Sequence, residues 1–367
     1  MCTGARALPR YAPVPRLSIA YPARYNSPAM TQPESGPVPA PEFPTNVNWL
    51  QGGPLKLADL RGRPLLIDFW DYTCVNCLHT LPYVKEWHRR YSSLGLTIVG
   101  VHAPEFSFAH NADNVRRAVA EQGLEYAIVL DNDYAIWQAY GNRYWPAKYL
   151  IDREGHLRYH HFGEGAYGET EGAIQAVLRE AFSEIVLPGL MEPVRETDAP
   201  GAACYRVTPE LYLGYQRGRI GNTADITPDK PASYRDLGKH AEGYFYLEGD
   251  WLLSTEHVAR PVGATGESSL RIRYLAKEVN LVLHPPLAGG EATIELLQDG
   301  APLAPEDAGE DVRVEDGRAV VAAGRPGMYR LVNNREIDTH ELTLVTSNDG
   351  LMLYAFTFVS CLVAADA

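Results

Sequence analysis

Two cysteines, Cys74 and Cys77, follow directly on the apolar run Leu65-Leu66-Ile67-Asp68-Phe69-Trp70, and this placement constrains the chain more than any other feature. A run of that length predicts a buried strand. The next stretch, Val75–Tyr91, has helical spacing, with Leu78, Leu81, Val84, Trp87 and Tyr91 on one face and Pro82 as an expected kink. A strand that passes into a helix opening at Cys-x-x-Cys sets the first sulfur at the helix N-terminus, where unpaired N–H groups and the dipole favour thiolate over thiol. The second sulfur lies one turn on, close enough to form a disulfide. Thiol–disulfide chemistry is therefore expected, with Cys74 as the exposed nucleophile and Cys77 as the resolving thiol. The competing use of such a pair, half a zinc site, needs two more ligands at matching spacing. Cys204 and Cys361 are far apart, and the neighbours His160 and His161 in a strand would point to opposite faces. No metal and no cofactor are expected, and Cys2, Cys204 and Cys361 read as structural or incidental thiols.

From Val47 to about Glu184 strand and helix patterns alternate. Strands are predicted at 65–70, 96–102, 126–130, 147–151 and 157–161, and helices at 75–91, 112–122, 134–140 and 168–183. The last two strands form a hairpin across Asp152-Arg153-Glu154-Gly155. This order implies a mixed central sheet covered by helices. Residues 187–203 contain three prolines and little periodicity, and read as a linker or strap. Beyond Cys204 about nine short strands are predicted. Turns are expected at Glu248-Gly249-Asp250, Asp299-Gly300, Asn333-Asn334 and Asn348-Asp349-Gly350. Few helical signals accompany them, so the second half reads as an all-β sandwich of jelly-roll type. The expected organisation is a tail over 1–45, an α/β redox domain over 46–185, a linker over 186–203 and a β-sandwich over 204–367.

The first 45 residues hold ten of the 27 prolines and almost no apolar periodicity, which predicts disorder. Residues 1–30 carry four arginines and no acid, but no apolar stretch of signal-peptide length follows. Met30 as the true start is the plainer expectation. A formal net charge of −13 argues against nucleic acid or an anionic membrane surface as partner. No run approaches the length of a membrane span. On those grounds alone the cytosol is expected.

The segment Asp68-Phe69-Trp70-Asp71-Tyr72-Thr73-Cys74-Val75-Asn76-Cys77 resembles the active-site segment of thioredoxins. Pro82 and the Trp145-Pro146 pair fall where those proteins place a helix kink and a cis-proline. More narrowly, Phe69–Cys77 together with His102-Ala103-Pro104-Glu105-Phe106 resembles the soluble part of DipZ-type proteins, relatives of the TlpA-like thiol–disulfide oxidoreductases. Pro209-Glu210-Leu211-Tyr212-Leu213-Gly214-Tyr215 resembles the start of their C-terminal domain, a carbohydrate-module-like β-sandwich. The membrane-spanning part of those proteins has no counterpart here. The resemblance implies an extracytoplasmic site, protein substrates bearing thiols or disulfides, and a redox partner not identified by sequence. It also implies that Asp68 is a buried carboxylate that takes the proton of Cys77, that Trp70 packs beside the disulfide, and that Glu105 is a second acid/base. Pro146 would be cis, so that the backbone of Trp145 pairs with an extended substrate. Burial would raise the pKa of Asp68. The acids Asp68, Asp71 and Glu105 would together oppose thiolate formation at Cys74, which favours reduction or isomerisation over strong oxidation.

Two other functions compete. Peroxiredoxins use Pro-x-x-x-Thr/Ser-x-x-Cys; counting back from Cys74 gives Asp71 and Ile67, and from Cys77 gives Cys74 and Trp70, so neither cysteine fits. Alternatively, the second half is a glycan- or protein-binding module with an accessory redox domain. Tyr244, Tyr246 and Trp251 are the aromatic candidates for a sugar, although aromatics at strand spacing usually fill a core.

Overall fold

A computed structural model describes residues 37–223 and 226–362. The expected tail therefore lies outside the described residues up to residue 36. Residues 37–45 are packed rather than free. Phe43 is buried, Pro39 bridges to His156, and Glu42 accepts from the backbone N–H of Leu57 at 2.7 Å.

The first half contains β1 (Asn48–Gln51), β2 (Leu65–Trp70), α1 (Val75–Tyr91), β3 (Thr97–His102), α2 (Ala112–Gln122), β4 (Ala127–Leu130), α3 (Ala135–Ala139), β5 (Ala147–Ile151), β6 (Leu157–Phe162) and α4 (Tyr167–Ala181). The sheet order is β1-β4-β3-β2-β5-β6, with β2, β3 and β4 parallel and the other strands antiparallel. β2 is central and wholly buried, which explains its unbroken apolar run. The period of two divides it: Leu66 and Trp70 face the core under α1, α2 and α4, while Leu65, Ile67 and Phe69 face the core shared with α3. Asp68 is in register with Leu66 and Trp70, on the face that also holds Cys77.

After α4 the chain crosses back over α1 as a strap. Gln175 Nε2 donates to Pro188 O, Met191 N to Glu171 Oε2, and Val194 N to Tyr83 OH, at 2.8, 2.8 and 2.9 Å. Glu171, fully buried, also pairs with Arg90 and accepts from Tyr91 OH.

The second half is all-β and antiparallel in its ladders. It comprises β7 (Ala203–Cys204), β8 (Leu211–Tyr212), β9 (Pro231–Tyr234), β10 (Phe245–Leu253), β11 (Val258–Ala259), β12 (Ser268–His284), β13 (Ala292–Gln298), β14 (Ala301–Pro302), β15 (Val312–Glu315), β16 (Arg318–Ala323), β17 (Gly327–Thr346), β18 (Met352–Val359) and β19 (Cys361–Leu362). Two strands are far longer than the alternation predicts. β12 pairs with β17 throughout, but its first half also pairs with β10 and its second half with β18. The change falls at the register shift between Ala276 and Glu278. Inward residues are even before it (Leu270, Ile272, Tyr274, Ala276) and odd after it (Val279, Leu281, Leu283), and all join one core. A bulge therefore turns the strand at a corner of the sandwich.

Trp251 is fully buried and Tyr246 nearly so, while Tyr244 is half-buried, so the expected sugar-facing aromatics fill or flank the core. The expectation for Cys204 and Cys361 is also corrected. They form a disulfide across the β7–β19 ladder, joining positions 157 residues apart, which no local pattern reveals.

The halves meet at the loop after β3. Phe106 and Phe108 pack against Tyr354 of β18, with Met352, Val282 and Ala259 in the same cluster. Ser107 N donates to Glu256 Oε2 at 3.2 Å and Arg117 Nη2 to Pro326 O at 3.2 Å.

Candidate active site

Cys74 is the N-cap of α1. Its Sγ accepts from the backbone N–H of Cys77 at 3.2 Å, and the two sulfurs are free thiols in this state. Cys74 keeps a solvent-facing edge; Cys77 is 1% exposed. Burial pushes both thiols upward. For Cys74 the hydrogen bond and proximity to Cys77, and then the Glu105 carboxylate, add to it; for Cys77 the charges of Asp68 and Asp71 add to it. At Cys74 the N–H of Cys77 at the helix start favours the thiolate as expected, but burial outweighs it, and of the three expected acids Glu105 is the one that adds to burial there.

Asp71 is structural in its contacts. Fully buried, it accepts from Thr73 N and Thr73 Oγ1 at 2.7 Å each and from Glu105 N at 2.6 Å. One carboxylate therefore ties the turn before Cys74 to the loop after β3. Those bonds pull its pKa down, but burial outweighs them.

Asp68 lies beneath the pair, fully buried, with its pKa raised to about 7 by desolvation and tempered by Lys148. The sequence reading missed Lys148. It is the antiparallel partner of Asp68 on β5, two residues after Pro146, and is also fully buried. Neither its Nζ nor either Asp68 oxygen has a hydrogen-bond partner among the described residues. Burial drives the Lys148 pKa down, while Asp68, Cys77, Glu164 and Cys74 pull it up. Its Nζ also sits 5.8 Å from the Tyr167 ring centroid. A buried lysine inside a strand otherwise apolar carries no pattern of its own; only the partner across the ladder explains it.

Trp70 is fully buried, 5.3 Å from the His102 ring and in the same core cluster as Cys77, so it has no surface to offer a substrate. Gly100 leaves it room, since a Cβ there would stand 3.1 Å from Trp70 Nε1. His102 is sealed between Trp70 and Tyr72, and burial lowers its pKa to about 3, so it is neutral. Trp145 is half-buried, donates from Nε1 to Ala103 O at 3.0 Å and packs on Trp137; the bond to the buried Pro146 is cis. The Glu105 side chain is 9% exposed, and its carboxylate is bonded by Tyr212 and Arg217 of the second half.

Two families match in sequence. "AhpC/TSA family" covers residues 38–160 and "Thioredoxin like C-terminal domain" covers residues 208–358. The thiol–disulfide oxidoreductase YkuV of Bacillus subtilis is 30% identical over 142 residues, which are 39% of this chain and 95% of YkuV. The chain belongs to the thioredoxin-like thiol–disulfide oxidoreductases. Within that family it is similar along most of its length to DipZ of Mycobacterium tuberculosis, 33% identical over 331 residues, 87% of this chain. It spans 42% of the length of DipZ. A solution structure of a thioredoxin-like protein in the oxidized form covers 39% of this chain and 97% of its own, at 31% identity and TM-score 0.37. Among the described residues of this oxidoreductase, no helix is long and apolar enough to cross a membrane.

Proposed function

We propose that this chain exchanges a Cys74–Cys77 dithiol for the disulfides of protein substrates. The observation that carries the reading is the Cys74 Sγ at the N-cap of α1, in a residue that is only partly buried, with the buried Cys77 one turn behind it. In the reductive direction the Cys74 thiolate attacks a substrate disulfide. That S–S bond breaks, a mixed disulfide forms, and the departing substrate thiolate takes a proton. Cys77 then gives its proton to Asp68 and attacks Cys74 Sγ. The second substrate thiolate leaves, two electrons have passed to the substrate, and the Cys74–Cys77 disulfide remains. A dithiol-bearing redox partner must reduce it again, and the same steps reversed oxidise a substrate. A pKa near 7 suits Asp68 to this transfer, since both of its protonation states are populated at neutral pH. An extended substrate backbone would lie along Trp145, which the cis bond to Pro146 positions. Burial of both thiols supports a reductant or isomerase over a strong oxidant.

The test is trapping. Cys77→Ser is expected to hold substrate proteins in covalent complexes released by dithiothreitol, and Cys74→Ser to hold none and to lose insulin-disulfide reduction. Trapping by Cys74→Ser instead would reverse the two roles; trapping and reduction unaffected by either change would refute the exchange.

A further inference from the structure

Glu105 sits where the two halves touch, and its charge is matched from the far side. Its Oε1 accepts from Tyr212 OH at 2.8 Å and from Arg217 Nη1 at 3.0 Å, both residues of the second half. The Arg217 guanidinium lies 3.4 Å from the Tyr212 ring centroid, so ring and cation reach the carboxylate as one unit. Tyr212 is fixed by the pairing of β8 with β18 and by the aromatic cluster around Phe106. Arg217 is fixed by a tight turn in which Gly218 N donates to Gly214 O at 2.8 Å. A Cβ on either glycine would stand 2.2 or 2.1 Å from a backbone oxygen, so the turn admits only glycine there.

We propose that Arg217 and Tyr212 are positioning residues of the redox site, holding Glu105 as an oriented carboxylate beside Cys74 so that the β-sandwich sets how readily this thiol ionises. The proposal rests on the exchange reading above, in which Cys74 is the nucleophile. Glu105 is faced by Asp71 and Tyr134 from the first half and by Tyr212, Arg217 and Glu210 from the second, with Glu256 on the wall of the adjoining cavity. Asp71 ties Glu105 to the start of α1: Cys74 N donates to Asp71 O at 3.2 Å and Glu105 N to Asp71 Oδ2 at 2.6 Å. The charged and titratable groups that act on Cys74 are Cys77, Glu105 and Lys148. Tyr212 OH also lies 2.6 Å from Glu210 Oε2. A phenol has one proton to give, so Arg217 is the constant donor to Glu105.

The sign of the effect is diagnostic. Burial pushes the Glu105 pKa up, and Arg217 and Tyr212 pull it back. Burial wins even with both in place, and without them the Glu105 pKa rises further. The negative charge beside Cys74 is then weaker, and the thiol ionises more easily. A cation acting directly on the thiolate would do the opposite, since its removal makes ionisation harder.

The experiment uses the reduced full chain. Alkylation of Cys74 by iodoacetamide is followed from pH 6 to 9, with the modified peptide assigned by mass. Glu105→Gln is expected to speed alkylation at pH 7 by about threefold or more, the effect of about half a pKa unit. Arg217→Gln should move the profile the same way, Arg217→Lys should stay at wild type, and Tyr212→Phe, which keeps the ring under the cation, should follow by a smaller step. Added to Glu105→Gln, Arg217→Gln should change nothing more. Slower alkylation in Arg217→Gln, or a further change in the Glu105→Gln background, overturns the proposal. So does a Glu105→Gln profile identical to wild type. These results leave the exchange reading standing. Failure of Cys74 to be alkylated in any variant would instead count against Cys74 as nucleophile.

Discussion

Asp68 gives the sharpest prediction because its burial has a thermodynamic signature separate from activity. In the native protein it keeps its proton up to about pH 7; in the unfolded chain it loses it near its ordinary value of 3.8. Between those values the native state binds one more proton than the unfolded state, so stability falls as pH rises through the window. The interval is about three units, and each unit corresponds to about 1.4 kcal/mol. Asp68→Asn removes this titration. Its stability relative to wild type is therefore expected to rise by about 4 kcal/mol between pH 4 and pH 8, as an upper value. Urea unfolding of the reduced chain, followed by tryptophan fluorescence at several pH values, reads the difference directly. Repeating the pair in a Lys148→Met background takes the lysine's own titration out of the comparison, and there the window should extend to higher pH. A difference between Asp68→Asn and wild type that does not change with pH would refute the argument. So would one that shrinks as pH rises.

Equilibration with glutathione is expected to place the Cys74–Cys77 potential well below the roughly −120 mV of a strong oxidant; a value near that figure would contradict the burial of both thiols. Cys204→Ser should cost about 2–5 kcal/mol, because the crosslink closes a very long loop. An unfolding temperature unaffected by the change, or mass spectra of the purified chain showing both thiols free, would refute it. Glu171→Ala leaves Arg90 and Tyr91 without their buried acceptor and should cost about 3–5 kcal/mol. It should also speed proteolysis within residues 187–195; a strap that stays equally protected would show that Glu171 does not anchor it.

What the sequence made legible was what neighbours along the chain decide. β2, α1 and α2 have the predicted bounds because an unbroken apolar run, a helical stripe and an Asn111 cap are all local signals. The cysteine pair belongs to the same class. In the second half β10 and β17 read as shorter strands broken by turns, because their interiors imitate turns. Gly249 adopts φ +84° inside β10, so Glu248-Gly249-Asp250 looked like a reversal. Asn334 lies within β17 with its amide satisfied by Tyr274 OH and Gln298, a buried role that composition cannot tell from a turn. Lys148, the donors to Glu105 and the Cys204–Cys361 bond were illegible for one reason. Each is defined by a partner 60 or more residues away, brought close only by strand pairing or by the contact between halves.

The Cys204–Cys361 bond has a mechanical consequence. It joins the first strand of the second half to its last, so the intervening polypeptide is a covalently closed ring. Tension applied along the backbone from either side passes from one sulfur to the other and leaves the strands between them unloaded. Whatever pulls on this protein would thus strain the thiol-bearing half first, and the sandwich would ride along as a pendant until that single bond is cut.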